Sequence, residues 1–409
     1  MKLPFLNGKK KDENWYSEDL IALDIGTEFV KTVVFNLTGD KVNVLSYKKV
    51  RQQPDAMKGA MIINLRNVVE NCNLALKDAL AEIPESSPKH MVLGIAGELV
   101  QGITIAANMK RENPDFPITK VEIDEVIDKV KEKAFQNALD DVAEKTGMDP
   151  NQLEEIDTVI NDTYIDGFRV GDPIGFKGTE IKFKIFTTFA PSIHASSLRS
   201  LADQLGFEII NIVAEPYAIA RSIYGAKDDS FSSIIVDIGG GTTDVAIVQR
   251  GGVVGTEMFS FGGRVFTRRL EHSLNLDYNN AEKMKLRYSK KELDETNLKK
   301  VRELIAMDSS VWIDGFELAL SEFEDVNVYP AEILLCGGGS LLGEIKEEII
   351  SHPWLKVLPF NRFPRISYLQ PGKLDSINDQ TGEPRDPADI APFALARYTL
   401  DLSRQEQHE

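Results

Sequence analysis

Asp237-Ile238-Gly239-Gly240-Gly241-Thr242-Thr243-Asp244 is the stretch of this sequence best equipped for chemistry. Its glycines can take positive φ and offer backbone N–H groups with no side chain in the way, and its threonines add hydroxyls; such donors converge readily on an anion. Asp237 and Asp244 would repel a phosphate chain unless a divalent cation lay between, so the combination reads as a turn for a magnesium-bound nucleotide. An ordinary Gly-rich hairpin is the other reading of the glycines alone. Ile234-Ile235-Val236 before the turn and Val245-Ala246-Ile247-Val248 after it are apolar and mostly β-branched, which predicts strand, tight turn, strand.

The arrangement occurs a second time. Ile21-Ala22-Leu23-Asp24-Ile25-Gly26-Thr27-Glu28-Phe29-Val30-Lys31-Thr32-Val33-Val34-Phe35 is again an apolar strand, Asp-Ile-Gly, a hydroxyl residue and a second strand. Two copies of one phosphate-gripping hairpin imply a duplicated fold with the ligand in the cleft between its halves. The pairing resembles the actin-like ATPase superfamily, and within it the branch of the bacterial cell-division protein FtsA and the pilus-assembly protein PilM. The likeness runs from about Leu20 to about Leu400. It implies an α/β chain with a duplicated actin-like (ribonuclease H-like) fold and a small inserted α+β subdomain. The expected division is a flexible tail at 1–19, a first half at 20–101 and 190–228, the insertion at 102–189, a second half at 229–400 and a polar tail at 401–409.

Composition narrows the classes. A chain of 409 residues has room for several cored domains. Its net charge of −17 opposes nucleic acid and anionic membrane through the general field, so any such contact needs a local basic patch. Cys72 and Cys336 are the only cysteines, which excludes a disulfide framework and fits a reducing compartment. The five histidines show no metal-ligand spacing. No apolar run approaches the roughly 20 residues of a spanning helix and no signal peptide is visible, so a cytoplasmic protein is expected; the resemblance implies that it is peripheral at the inner face of the membrane. Lys9-Lys10-Lys11 beside Phe5 and Leu6 is the one segment that would touch anionic lipid.

Between the hairpins, Asn64 is a plausible N-cap for a helix burying Val68, Cys72, Ala75 and Ala79 on one face. In the insertion, Thr119 and Glu122 read as a capping box for a helix with a stripe of Ile123, Ile127, Val130, Ala134 and Ala138. Strands are expected at 159–164 and 180–189, and the whole segment as a contact module removable without opening the cleft. A helix at 192–205 should end at Gly206. Pro216 behind Glu215 marks another helix start. Glu282 and Lys285 share a helical face, as a surface ion pair would. Ile333-Leu334-Leu335-Cys336-Gly337-Gly338-Gly339-Ser340 repeats strand and glycine turn, but no Lys-Ser or Lys-Thr follows, so it is not a Walker A loop. The Pro- and Gly-containing stretch 359–392 reads as loop.

The resemblance gives these features roles. Backbone N–H groups of Gly26, Thr27, Gly239, Gly240 and Gly241, with the hydroxyls of Thr27, Thr242 and Thr243, would hold the phosphates of ATP. Lys31 stands where actin has its phosphate lysine, and Asp24 and Asp237 would hold Mg²⁺ through water. Glu215 would orient a water below the terminal phosphate. Glu282 and Lys285 would meet the ribose and adenine edge, and Gly337, Gly338, Gly339 and Ser340 would form the adenosine loop. The implied protein is a slow ATPase at most, a scaffold of the FtsA type. It would self-associate into dimers or filaments and recruit an FtsZ-like division protein, with membrane contact indirect or through the N-terminal segment. A PilM-like role, binding a peptide of a pilus inner-membrane protein, is the alternative, favoured by the polar C-terminus where FtsA carries an amphipathic membrane helix. A small-molecule kinase is a third reading, but no substrate-domain acid stands out.

Overall fold

Leu20–Ile25 (β1) is buried at every position, so it must be covered on both faces. It pairs antiparallel with Phe29–Thr38 (β2), and β2 with Lys41–Arg51 (β3). A short hairpin follows, Met57–Lys58 (β4) and Met61–Ile62 (β5). The helix Leu65–Leu80 starts where the Asn64 side chain accepts the Asn67 N–H at 3.3 Å, and it buries Val68, Cys72, Ala75 and Ala79 on one face. His90–Ile95 (β6) then returns parallel to β1.

Next come Gln101–Lys110 (β7), Leu153–Ile165 (β8), Phe168–Val170 (β9) and Glu180–Pro191 (β10). The helix Ser192–Leu205 ends at Gly206, in the left-handed region at φ 81°, and Glu208–Ala214 (β11) lies parallel to β6. After the helix Glu215–Tyr224, the second half runs Ser233–Ile238 (β12), Thr243–Gln249 (β13), Gly252–Phe259 (β14), the helices Gly263–Leu274, Tyr278–Ser289 and Glu295–Ser321, then Glu332–Cys336 (β15) and Arg365–Tyr368 (β16). Ile377–Asp379 (β17) and the helix Ile390–Gln407 close the chain. This is a computed structural model, and it describes residues 14–97, 99–123, 125, 136, 139–144, 146–224, 231–323 and 326–407. Ile127, Val130, Ala134 and Ala138 of the expected stripe, and most of the expected N-terminal tail, lie outside the described residues.

Topology makes the duplication explicit. One sheet has the order β11-β6-β1-β2-β3-β17, and the other begins β16-β15-β12-β13-β14. In each, three antiparallel strands are followed by two that return parallel to the first. The fold class is therefore the actin-like α/β duplication.

Three boundaries differ from the expected division. The insertion is docked: β7-β10-β8-β9 continue the second sheet beyond β14, through Gly255↔Ile103 and Thr256↔Gly102. Phe186 of β10 stacks on Tyr217 at 4.2 Å between centroids, the Tyr217 hydroxyl donates to Asn161 at 2.9 Å, and the Tyr398 hydroxyl donates to Asp157 at 3.2 Å. Cutting out 102–189 would strip these aromatic faces of cover, which argues against simple removal. Second, β17 pairs with β3 and the last helix packs against the first sheet, so the C-terminal part belongs with the first half. Third, 401–407 is not a tail but the end of that helix. Asp401, Leu402 and Ser403 are buried, and Arg397 donates to Asp401 at 2.8 Å, which lets a polar sequence sit inside. The stretch read as loop supplies β16 and β17; strands this short and polar leave no periodicity to see.

Candidate functional site

The two hairpin turns face each other across a cavity of about 580 Å³ between the sheets, within the range of small-ligand sites. Asp24, Gly26, Thr27, Lys31, Glu215, Asp237, Gly239, Gly240, Thr242, Glu282, Lys285, Gly337, Gly338 and Gly339 all line it. Residues far apart in sequence are thus brought to one cavity. The turn glycines serve close approach: none of Gly239, Gly240 and Gly241 has a positive φ, contrary to the expectation from their sequence. A Cβ on Gly240 would lie 2.9 Å from Cβ of Glu28 in the opposite turn, and one on Gly241 would lie 3.0 Å from Oγ1 of Thr27. Gly337 does need its freedom, at φ 78° with Asp237 pressed against it.

At one end of the cavity sit four carboxylates, Asp24, Asp237, Asp244 and Glu215, with one lysine. Lys31 donates to Asp24 Oδ2 at 2.8 Å. Burial works against its charge, but Asp24 and its neighbours more than offset this and hold the ammonium above its ordinary range. Burial pushes Asp237 up to about 6 against the pull of Lys31, and burial together with Asp237 pushes Asp244 up to about 8. Burial, then Asp24, Asp237 and Asp244, push Glu215 well above the usual carboxylate range. Negative charge is therefore in excess, the condition a bound divalent cation relieves. Among the described residues no three His, Cys, Asp or Glu converge closely enough to ligate a metal outright, so a cation here would keep part of its water shell. The Thr27 hydroxyl is buried without a hydrogen-bond partner and so is left over for a ligand.

At the other end Lys285 donates to Gly263 O at 2.9 Å and to Thr267 Oγ1 at 2.8 Å, and pairs with Glu282 at 2.8 Å. Both side chains are largely buried in the cavity wall, so this is not the surface ion pair that spacing alone allows.

Five expected ligand groups are committed elsewhere, among them the Thr242 hydroxyl, which donates to Asp244 Oδ2 at 3.1 Å. Thr243 Oγ1 donates to Phe261 O at 2.6 Å and accepts from Trp312 Nε1 at 2.9 Å, inside the second half. It opens β13, where side chains alternate, so it faces away from Thr242. Ser340 Oγ donates to Gly337 O at 2.7 Å and closes its own turn. The Gly239 N–H donates to Thr242 O and the Gly337 N–H to Pro387 O, each at 2.9 Å. Gly241 packs on Thr27 and does not line the cavity.

Sequence reasoning missed a cluster that joins the halves. Glu28, 12% exposed at its side chain, accepts from Arg51 Nε at 2.9 Å and from Arg264 Nε at 2.8 Å. Arg264 also donates to Thr27 O at 2.5 Å and to Met57 O at 3.2 Å. The only hint was Gly262-Gly263 ahead of a helix, whose first residues let Arg264 reach across.

The class follows from the repeated sheet order around this cavity: the chain has the actin-like fold. A chain of the PilM–PilN type IV pilus biogenesis complex superposes with a TM-score of 0.63 at 14% identity, over 94% of this chain and 99% of that one. More particularly, the family model "Cell division protein FtsA" matches residues 234–369, from β12 through β16. FtsA of Neisseria meningitidis is 24% identical over 349 residues, 80% of each chain, and FtsA of Pseudomonas aeruginosa 24% over 372 residues, 84% of this chain and 83% of that one. Sequence and fold together place the resemblance with the FtsA/PilM branch of the actin-like proteins.

Proposed function

We propose that this chain is an ATP-binding scaffold of the FtsA type, assembling at the inner face of the membrane in cell division and recruiting partners there. One observation carries the reading: two Asp-Ile-Gly hairpins from duplicated sheets line one cavity that gathers Lys31 and an excess of buried carboxylates. Gly26, Thr27, Gly240 and the backbone of Thr242 would hold the phosphates, Lys31 would neutralise them, Asp24 and Asp237 would hold hydrated Mg²⁺, and Glu282 with Lys285 would meet the nucleoside. Bound Mg²⁺ supplies the charge that lets a polyphosphate enter beside four carboxylates. The raised Glu215 carboxyl keeps its proton as pH rises, and in that form it cannot accept one from water. That favours slow turnover over efficient catalysis. Partners on this reading are further copies of the chain and an FtsZ-like protein. No described helix is long and apolar enough to cross a membrane; on this reading a partner or the N-terminal segment provides the anchoring.

Gly338→Val provides the test. A Cβ there meets only Ala388 Cβ at 3.7 Å, ordinary contact, while the rest of the side chain projects into the cavity. The variant should melt like wild type, lose fluorescent ATP binding at least about tenfold and fail to sediment with ATP under conditions where wild type assembles. Unchanged binding would remove the nucleotide from this cleft. A PilM-like role is the second reading, favoured by the near-complete structural overlap with the PilM–PilN complex chain. Capture of a pilus inner-membrane peptide instead of FtsZ would establish it.

A further inference from the structure

His194 stands in the same cavity without an assigned task. It is 4% exposed, it lines the cleft, and neither ring nitrogen has a hydrogen-bond partner among the described residues. The residue is buried, yet its ring nitrogens are not among the sealed, partnerless polar atoms, so they keep access to the cavity and can pair with a ligand there.

Its neighbours say which end of the cavity it serves. The end of β6 and the residues just after it pack on both groups: a Cβ on Gly94 would strike the Glu215 carboxylate at 2.3 Å, and a Cβ on Gly97 would come within 3.4 Å of His194 Cε1. Glu215 feels Asp24, Asp237, Asp244 and Lys31, so this flank belongs to the charged end and not to Glu282 and Lys285. His194 also lies in the first turn of the helix Ser192–Leu205, whose N-cap Pro191 makes no side-chain cap. The uncapped N–H groups of that turn favour negative charge nearby.

We propose that His194 is a further ligand residue of the cleft, donating a hydrogen bond to the terminal phosphate of a bound nucleoside triphosphate; this rests on the nucleotide reading above. Burial pushes the imidazole down to about 4, so near neutral pH it is uncharged, with one N–H to donate and one nitrogen free to accept from water. It therefore distinguishes triphosphate from diphosphate without adding fixed charge.

The test compares dissociation constants of Mg-ATP and Mg-ADP on the full chain for wild type, His194→Leu and His194→Gln, with melting curves for each. His194→Leu should weaken ATP about tenfold and leave ADP within about twofold, while His194→Gln, which keeps a donor and the polar volume, should recover part of the ATP affinity. Where the Leu variant does not fold, the Gln variant decides by its ATP-to-ADP ratio, which should still fall below that of wild type. A ratio unchanged in the variants, with wild type binding both nucleotides, overturns the role of His194 alone. Wild type binding neither nucleotide overturns the cleft assignment and this proposal with it.

Discussion

Lys31→Ala is expected to cost about 3 kcal/mol of stability at pH 8, much less at pH 5, and to lose most ATP affinity while sparing adenosine. The ammonium lies 2.8 Å from Asp24 and offsets a buried group of acids. Removing one partner of such a pair leaves the other's charge uncompensated. The pH direction follows from linkage. Asp237 and Asp244 have folded values of about 6 and about 8, above the ordinary carboxylate near 4, so the native state holds protons that the unfolded chain has released. Their contribution to stability is intact at low pH and is lost as pH rises through those values. Without Lys31 the same acids ionise at greater cost, which steepens the decline, and Mg²⁺ should restore part of the loss. Melting temperatures of wild type and variant at pH 5 and 8, with and without Mg²⁺, measure this. A loss of equal size at both pH values, indifferent to Mg²⁺, would make Lys31 an ordinary packing residue.

Arg264→Ala should loosen the contact between the halves. Its guanidinium reaches from the second half to Glu28, to Thr27 O and to Met57 O, beside a longer contact of the Tyr278 hydroxyl to Glu28 at 3.4 Å, while Arg51 holds Glu28 from the first half. Loss of these charge-assisted bonds should lower stability by about 2–3 kcal/mol. Because they tie the cavity-lining Thr27, Glu28 and Met57 to the second half, release of fluorescent ATP should quicken about tenfold, equivalent to about 1.4 kcal/mol of lost barrier. Stopped-flow displacement reads the rate directly. A lower melting temperature with an unchanged release rate would assign Arg264 to folding and not to gating.

How far the sequence speaks depends on the kind of feature. Both hairpins were legible because β-branched runs, an acid and glycines lie contiguous in the chain, and local pattern then fixes local structure. The gathering of Lys31, Glu215, Asp237 and Gly338 followed only from the duplication, since no short window contains them together. Thr243 was misassigned because adjacent strand residues face opposite sides, and the sequence does not say where β13 begins. Glu28 and Arg264 were missed because their meeting is purely tertiary. The end of the last helix read as a tail because Asp401 and Arg404 are polar; its burial depends on Arg397 and Arg221, which supply the charges Asp401 needs. The docking of the insertion uses two residue pairs and the Thr104 and Asn161 bonds to Val253 O on β14, with Phe186 meeting Tyr217 beside them, and none of these leaves a periodic trace.

The central claim is that one Mg-nucleotide sits between the facing hairpins, and calorimetric titration of the wild-type chain with ATP, in the presence and absence of Mg²⁺, tests it most directly. Saturable binding of one ATP per chain is expected, weakening at least about tenfold when Mg²⁺ is withdrawn, because the ionised carboxylates of the acidic end, Asp24 and Asp237, then meet the phosphates unshielded. No heat of binding, or an affinity indifferent to Mg²⁺, would contradict the claim.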